Sequence, residues 1–204
     1  MTNEATGTET TVHPLQEFAD GVAAAVGGVA EITVGTVKVK VPADRWVETH
    51  RIARDDLGLG FFSFLSAIEW ANEVSVGYPL SEPVEERIEV ISTLGDLSEG
   101  KRVTFSTDLP LDSPRIQSIV EVFPGANWHE REAHEMFGIV FEGHPNLVHL
   151  YLPDGFMGHP LRKSFPLLSR EVKPWPGDVD VEAMPGEAQS GGGSDEPSTE
   201  NPEA

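Results

Sequence analysis

Residues 127–138, NWHEREAHEMFG, put three glutamates, an arginine and two histidines into three helical turns. Asn127 with Glu130 three residues on has the form of a capping box, and Gly138 stands where a C-terminal glycine stops a helix. The pattern predicts a helix whose polar side chains serve as a metal site, as paired surface charges or as a grip on another surface. A zinc helix needs histidines four apart, so that both share one face. His129 and His134 are five apart, roughly 140° around the axis at about 100° per residue. A di-iron site needs Glu-x-x-His, but Glu130 meets Ala133 at that offset and Glu132 meets Glu135. The i, i+4 pairs Arg131–Glu135 and Glu130–His134 instead fit helix-surface pairing, at about 0.2–0.5 kcal/mol each. Trp128, Met136 and Phe137 read as core or interface.

Downstream, IVFEGHPNLVHLYLPDGFMGHPLRKSFPL carries aromatics, prolines and glycines without a period, the mark of an arm laid along a surface. It contains two similar turns, Gly143-His144-Pro145 and Gly158-His159-Pro160-Leu161. Arg162-Lys163 is its one basic dipeptide, read either as an exposed pair or as an anchor to an acidic groove on a partner.

Upstream, Leu15, Phe18, Ala19, Val22 and Val26 share one helical face, closed by Gly27-Gly28. Ile32–Val34 and Val37–Val41 read as strands around Gly35. Asp44 reads as the N-cap of a helix carrying Trp46, His50, Ala53 and Leu57. FFSFLSAIEW, RIEVISTL and KRVTFSTDL read as strands, the last two joined by a turn. Ser113-Pro114 predicts a further helix with Ile116, Ile119, Val120 and Phe123 on its stripe. The order gives an α+β domain at 14–125 with an antiparallel sheet flanked by helices, and a junction helix and arm at 126–172. A leader at 1–13 and an acidic, low-complexity tail at 173–204 complete the 204 residues.

Thirty-four acids against fourteen bases give a net charge of −20. That argues against nucleic acid and against direct binding to anionic lipid. Eight acids and no Lys or Arg follow Pro174, so the remainder still carries −12. The absence of cysteine removes disulfides, cysteine-ligated clusters and a cysteine nucleophile. The polar N-terminus is no signal peptide, and no stretch reaches the roughly 18 apolar residues of a spanning helix, so a membrane is expected to be reached only through a partner. No GxSxG, GxxxxGK[ST] or GxGxxG motif marks an enzyme of its own; Gly58-Leu59-Gly60 is too short to count.

ANWHEREAHEMFGIVFEGHP and GHPLRKSFPL together resemble the 30-kDa subunit, also called the C subunit, of respiratory complex I, the NADH:quinone oxidoreductase. The family pattern is E-R-E, two residues, an acid, two apolar residues, then GI and a GHP turn. Glu130, Arg131, Glu132, Glu135, Met136, Phe137, Gly138, Ile139, Gly143, His144 and Pro145 meet it. Gly158 through Lys163, with Phe165 and Pro166, meet the second block. The resemblance covers about residues 15–170. It departs where the family carries Arg after the first GHP turn; Val148 and His149 stand there, which puts a basic contact to the neighbouring subunit in question.

The resemblance implies a non-catalytic subunit of the peripheral arm on the cytoplasmic side of the cell membrane. It would bind no cofactor itself; FMN, iron–sulfur clusters and quinone belong to the assembled complex, which couples electron transfer to proton translocation. Its partners would be the quinone-site subunit and the neighbouring iron–sulfur subunits. Trp128, Glu130, Arg131, Glu132, Glu135, Phe137, Gly138 and both His-Pro turns are expected at that interface, with Leu161, Arg162 and Lys163 pinning the arm. A related membrane-bound hydrogenase or quinone oxidoreductase complex, a metal-dependent hydrolase and a free-standing interaction module are the rival readings.

Overall fold

A computed structural model describes residues 13–74 and 81–166, all within one compact unit. The leader before His13 and the acidic tail lie outside the described residues. Helix α1 (Gln16–Val26) buries Ala19, Val22 and Val26, and ends on Gly27 at φ 67°. That left-handed cap costs glycine nothing.

Strands β1 (Val29–Thr33) and β2 (Thr36–Lys40) form an antiparallel hairpin. Its two turn residues, Val34 (φ 49°) and Gly35 (φ 71°), both have the positive φ that a tight hairpin turn needs. Val34 is a β-branched residue in a conformation such residues avoid, and it is 98% exposed. A single 3-10 turn at Ala43–Arg45 precedes helix α2 (Trp46–Asp55). Asp44 therefore sits inside that turn and does not cap α2, which makes no side-chain cap bond. The expected stripe survives: Trp46, His50 and Ala53 are buried.

Strands β3 (Phe61–Trp70), β4 (Arg87–Asp96) and β5 (Lys101–Leu109) form an antiparallel meander. The five-stranded order is β1-β2-β5-β4-β3. One junction is parallel, β2 against β5, with Val37 opposite Val103. The sheet is thus mostly antiparallel, and its one parallel pair joins two locally built pieces.

The helix expected after Ser113-Pro114 does not form. Residues Arg115–Gln117 are a strand, β6, parallel to β7 (Val140–Glu142). The Pro114 carbonyl accepts the Val140 amide and the Ser118 amide donates to Glu142, so the chain is held extended. Ile116, Ile119 and Phe123 are all buried, through a strand and one turn. Their spacing of three and four imitates a helix without being one.

Helix α3 (Ala126–Phe137) starts two residues earlier than expected, with Gly125 at its N-cap in place of Asn127 and no side-chain cap bond. Asn127 lies in its first turn, and no capping box closes on Glu130. The core lies where α1, α2 and α3 meet one face of the sheet. There the Trp46 and His50 rings stand 4.4 Å apart, His50 lies 5.7 Å from Phe105, and His129 of α3 meets Phe62 at 5.4 Å.

Candidate partner-docking site

Helix α3 turns most of its charged side chains inward, onto its own chain. Glu130 is fully buried. Its carboxylate accepts from the Ser118 hydroxyl at 2.6 Å and the Ile119 amide at 2.7 Å, pinning the turn after β6. Burial pushes its pKa up to about 7, although both hydrogen bonds pull it down. The helix-surface pairs expected from spacing do not form, because each member has a better partner. Arg131 donates to the carbonyls of Val148 at 2.9 Å and His149 at 2.8 Å. Glu135 accepts the consecutive amides of Leu150, Tyr151 and Leu152, the first two at 2.9 and 3.0 Å. Burial alone would raise the Glu135 pKa; the three amides and nearby His149 outweigh it and hold the carboxyl below its ordinary range. His134 donates through Nδ1 to the Ile139 carbonyl at 2.7 Å.

The arm returns the contact at the other end of the helix. The last turn of any helix leaves carbonyls without partners, and the peptide dipoles make that end negative. Here the second His-Pro turn supplies the donors. His159 Nδ1 reaches the Glu135 carbonyl at 2.9 Å, the Leu161 amide reaches Met136 at 3.2 Å, and Arg162 Nε reaches Phe137 at 2.7 Å. Gly138, at φ 74°, closes the helix directly beneath His159 and Arg162. The first turn binds the other end: His144 Nε2 meets the Asn127 carbonyl at 3.2 Å. Finally the Ser164 amide donates to Glu69 at 3.1 Å, and the Lys163 ammonium lies 5.7 Å from the Trp70 ring centre. Residues 144–166 are therefore strapped to α3 and to the edge of β3.

With their backbone so held, the arm and helix present apolar side chains outward. Trp128 is 61% exposed, Tyr151 63%, Met157 87% and Leu161 53%, and Val148 is exposed as well. Five of the ten large apolar side chains most exposed among the described residues lie on this helix and arm. Arg131 lies across Trp128, 5.3 Å from the ring centre. Among the described residues no group of three or more His, Asp or Glu is placed to share a metal ion.

Residues 39–171 match the family described as respiratory-chain NADH dehydrogenase, 30 Kd subunit. The chain belongs to that family. The NADH-quinone oxidoreductase C subunit of Bordetella petrii is 36% identical over 167 residues, covering 77% of this chain and 80% of that one. Its counterpart from Roseiflexus castenholzii is 39% identical, covering 68% and 74%. Among solved structures, a trypsin-resistant fragment (1-134) of Nqo5 is similar at a TM-score of 0.54 and 28% identity, covering 65% of this chain and 98% of that one. A membrane-bound sulfane sulfur reductase, an archaeal respiratory membrane complex, contains a chain of the same fold at TM-score 0.63 and 21% identity, covering 84% and 100%.

Within the 30 Kd family motif, the structure separates two sets of residues that look alike in sequence. Glu130, Glu135 and Phe137 are buried and hold the chain's own helix and arm. Arg131, His144, His159, Pro160, Arg162 and Lys163 are half-buried straps, of which His159 and Arg162 lie over Gly138. Trp128, Pro145 and Leu161 are exposed and Glu132 half-exposed. The sequence pattern does not assign Val148, Tyr151 and Met157 to this face, because an arm without periodicity gives no sign of which side chains point out. Ser118 and Glu69 also escape it, as distant anchors that no local pattern connects to the motif.

Proposed function

We propose that the chain is the non-catalytic 30-kDa subunit of a proton-translocating NADH-quinone oxidoreductase. It sits in the peripheral arm on the cytoplasmic side of the cell membrane. The helix–arm face docks on the quinone-site subunit and its iron–sulfur neighbours. The chain binds no cofactor; it supports electron transfer from NADH through FMN and iron–sulfur clusters to quinone by holding those subunits in register. Among the described residues no helix is long and apolar enough to cross a membrane, so contact with it runs through partners in this reading.

One observation carries the reading. Glu135, Arg131 and Arg162 take up the arm and helix backbone groups, which leaves Trp128, Tyr151, Met157 and Leu161 outside. A surface that is rigid in backbone and apolar in side chain binds at low ordering cost. The experiment is a Trp128→Ser, Tyr151→Ser, Met157→Ser chain in its native host. The isolated variant melts within a few degrees of the parent, while recovery of intact complex and quinone reduction fall together. NADH oxidation by an artificial acceptor at the flavin module persists. Undiminished complex yield would sink the proposal.

A further inference from the structure

The helices cover one face of the sheet, and the strand registers define what lies on the other. Lys38 and Lys40 of β2, Asp108 of β5, Arg87 and Glu89 of β4 and Trp70 of β3 share that second face. A groove of 510 Å3 crosses it, from Val29 and Glu31 on β1 to Trp70 on β3. Beside the groove, Phe64, Ile68 and Ile91 stand on the same face, each partly exposed. A solvated sheet face is ordinarily polar throughout, and this apolar row is unusual for one.

Two of the groove's cations share one carboxylate. Lys38 pairs with Glu89. Lys40 and Arg87 share the single carboxylate of Asp108, the latter at 3.2 Å. Outside the groove lining, Lys163 stands over the Trp70 ring, whose other neighbour is Arg87, 5.1 Å from the ring centre. Within the groove Lys38, Lys40 and Arg87 are thus matched by Glu31, Glu89 and Asp108, a neutral patch on a chain whose net charge is −20, with Lys163 standing at its Trp70 end. An acidic partner is repelled by most of this protein and tolerated here. The groove also begins at Trp70, against which Lys163 of the strapped arm lies, so it adjoins the helix–arm face at the edge of the sheet.

We propose that this groove is a second interface with a neighbouring protein of the assembly, taking a partner segment that carries carboxylates beside an apolar row. The carboxylates complete the charge on Lys40 and Arg87, and the apolar side chains cover Ile68, Ile91 and Phe64. The proposal rests on the chain working inside an assembly of several subunits, and not on the arm being the docking face.

The test compares the purified complex with the isolated full-length chain. Acetylation followed by mass spectrometry should label Lys38 and Lys40 at least tenfold more slowly in the complex. Carbodiimide should cross-link Lys40 to an Asp or Glu of a different subunit. Lys40→Glu and Ile91→Lys chains should melt like the parent yet enter the complex at less than a third of its level. Should Ile91→Lys fail to fold, the surface change Lys40→Glu keeps the experiment decisive. Equal labelling in the two states overturns the proposal, as do cross-links only to a second copy or to the chain's own acids beyond Pro174. If the arm variant blocks assembly while the groove variants assemble normally, the groove proposal fails and the docking arm stands.

Discussion

A Cβ added to Gly138 would stand 2.5 Å from Nε2 of His159 and 3.0 Å from the Arg162 guanidinium. The glycine of the first family block and the histidine of the second are thus two halves of one contact, 21 positions apart. Gly138→Ala places a side chain in left-handed backbone and drives it into the strap. The expected cost is about 2 kcal/mol or more, a fall in Tm of roughly 5 °C. Limited proteolysis between residues 148 and 166 should accelerate, whereas Gly155→Ala, with open space around it, should change neither.

Glu135 and Arg131 hold neighbouring pieces of the arm with unequal consequences. Glu135→Ala strands three amides on a side chain's worth of buried space, at about 1 kcal/mol each. Arg131→Ala releases two carbonyls that water can reach, for about 1 kcal/mol in all. Amide hydrogen exchange at Leu150, Tyr151 and Leu152 should rise steeply in the first variant and little in the second. Equal effects would mean that the carboxylate is not the anchor.

Two buried groups give the fold opposing responses to pH. Glu130 is raised from 4.5 to about 7, so between those values the folded state holds more proton than the unfolded one. Its contribution favours folding at low pH and is lost as pH rises through that window. His50 is lowered from 6.5 to about 4 by burial, against the raising effect of its bond to the Trp46 carbonyl. It is neutral when folded, so its contribution is present above 6.5 and lost as pH falls toward 4. Each shift corresponds to about 3 kcal/mol, and over pH 4.5–6.5 the two slopes nearly cancel.

Removing one should expose the other. Relative to the parent, Glu130→Gln should gain stability as pH rises from about 4.5 to 7, and His50→Gln should gain it as pH falls from about 6.5 to 4. Urea unfolding at half-unit pH steps reads both differences directly. Difference curves that stay flat within about 0.5 kcal/mol would remove both assignments.

The strands and first two helices are legible because their patterns are local: Val37 and Val39 alternate, and Trp46, His50 and Ala53 recur at helical spacing. The α3 helix is legible from its Gly138 stop. The turn after β6 is misread because Ile116, Ile119 and Phe123 carry helical spacing while the Pro114 carbonyl and Ser118 amide are committed to β7. The inward aim of Glu130 and Glu135 is also hidden. Two carboxylates on a charged helix look solvated until the amides they bind, 11 to 17 positions away, are brought beside them. The family blocks do not show which of their residues face the chain itself.

The parallel junction between β2 and β5 has a kinetic consequence. The β1–β2 hairpin closes over a two-residue turn and β4–β5 over four residues, but Val37 meets Val103 across 66 positions. Bringing such distant ends together costs about 4 kcal/mol in chain entropy before any contact rewards it. A chain emerging from the ribosome therefore cannot seal its sheet until β5 has been synthesised.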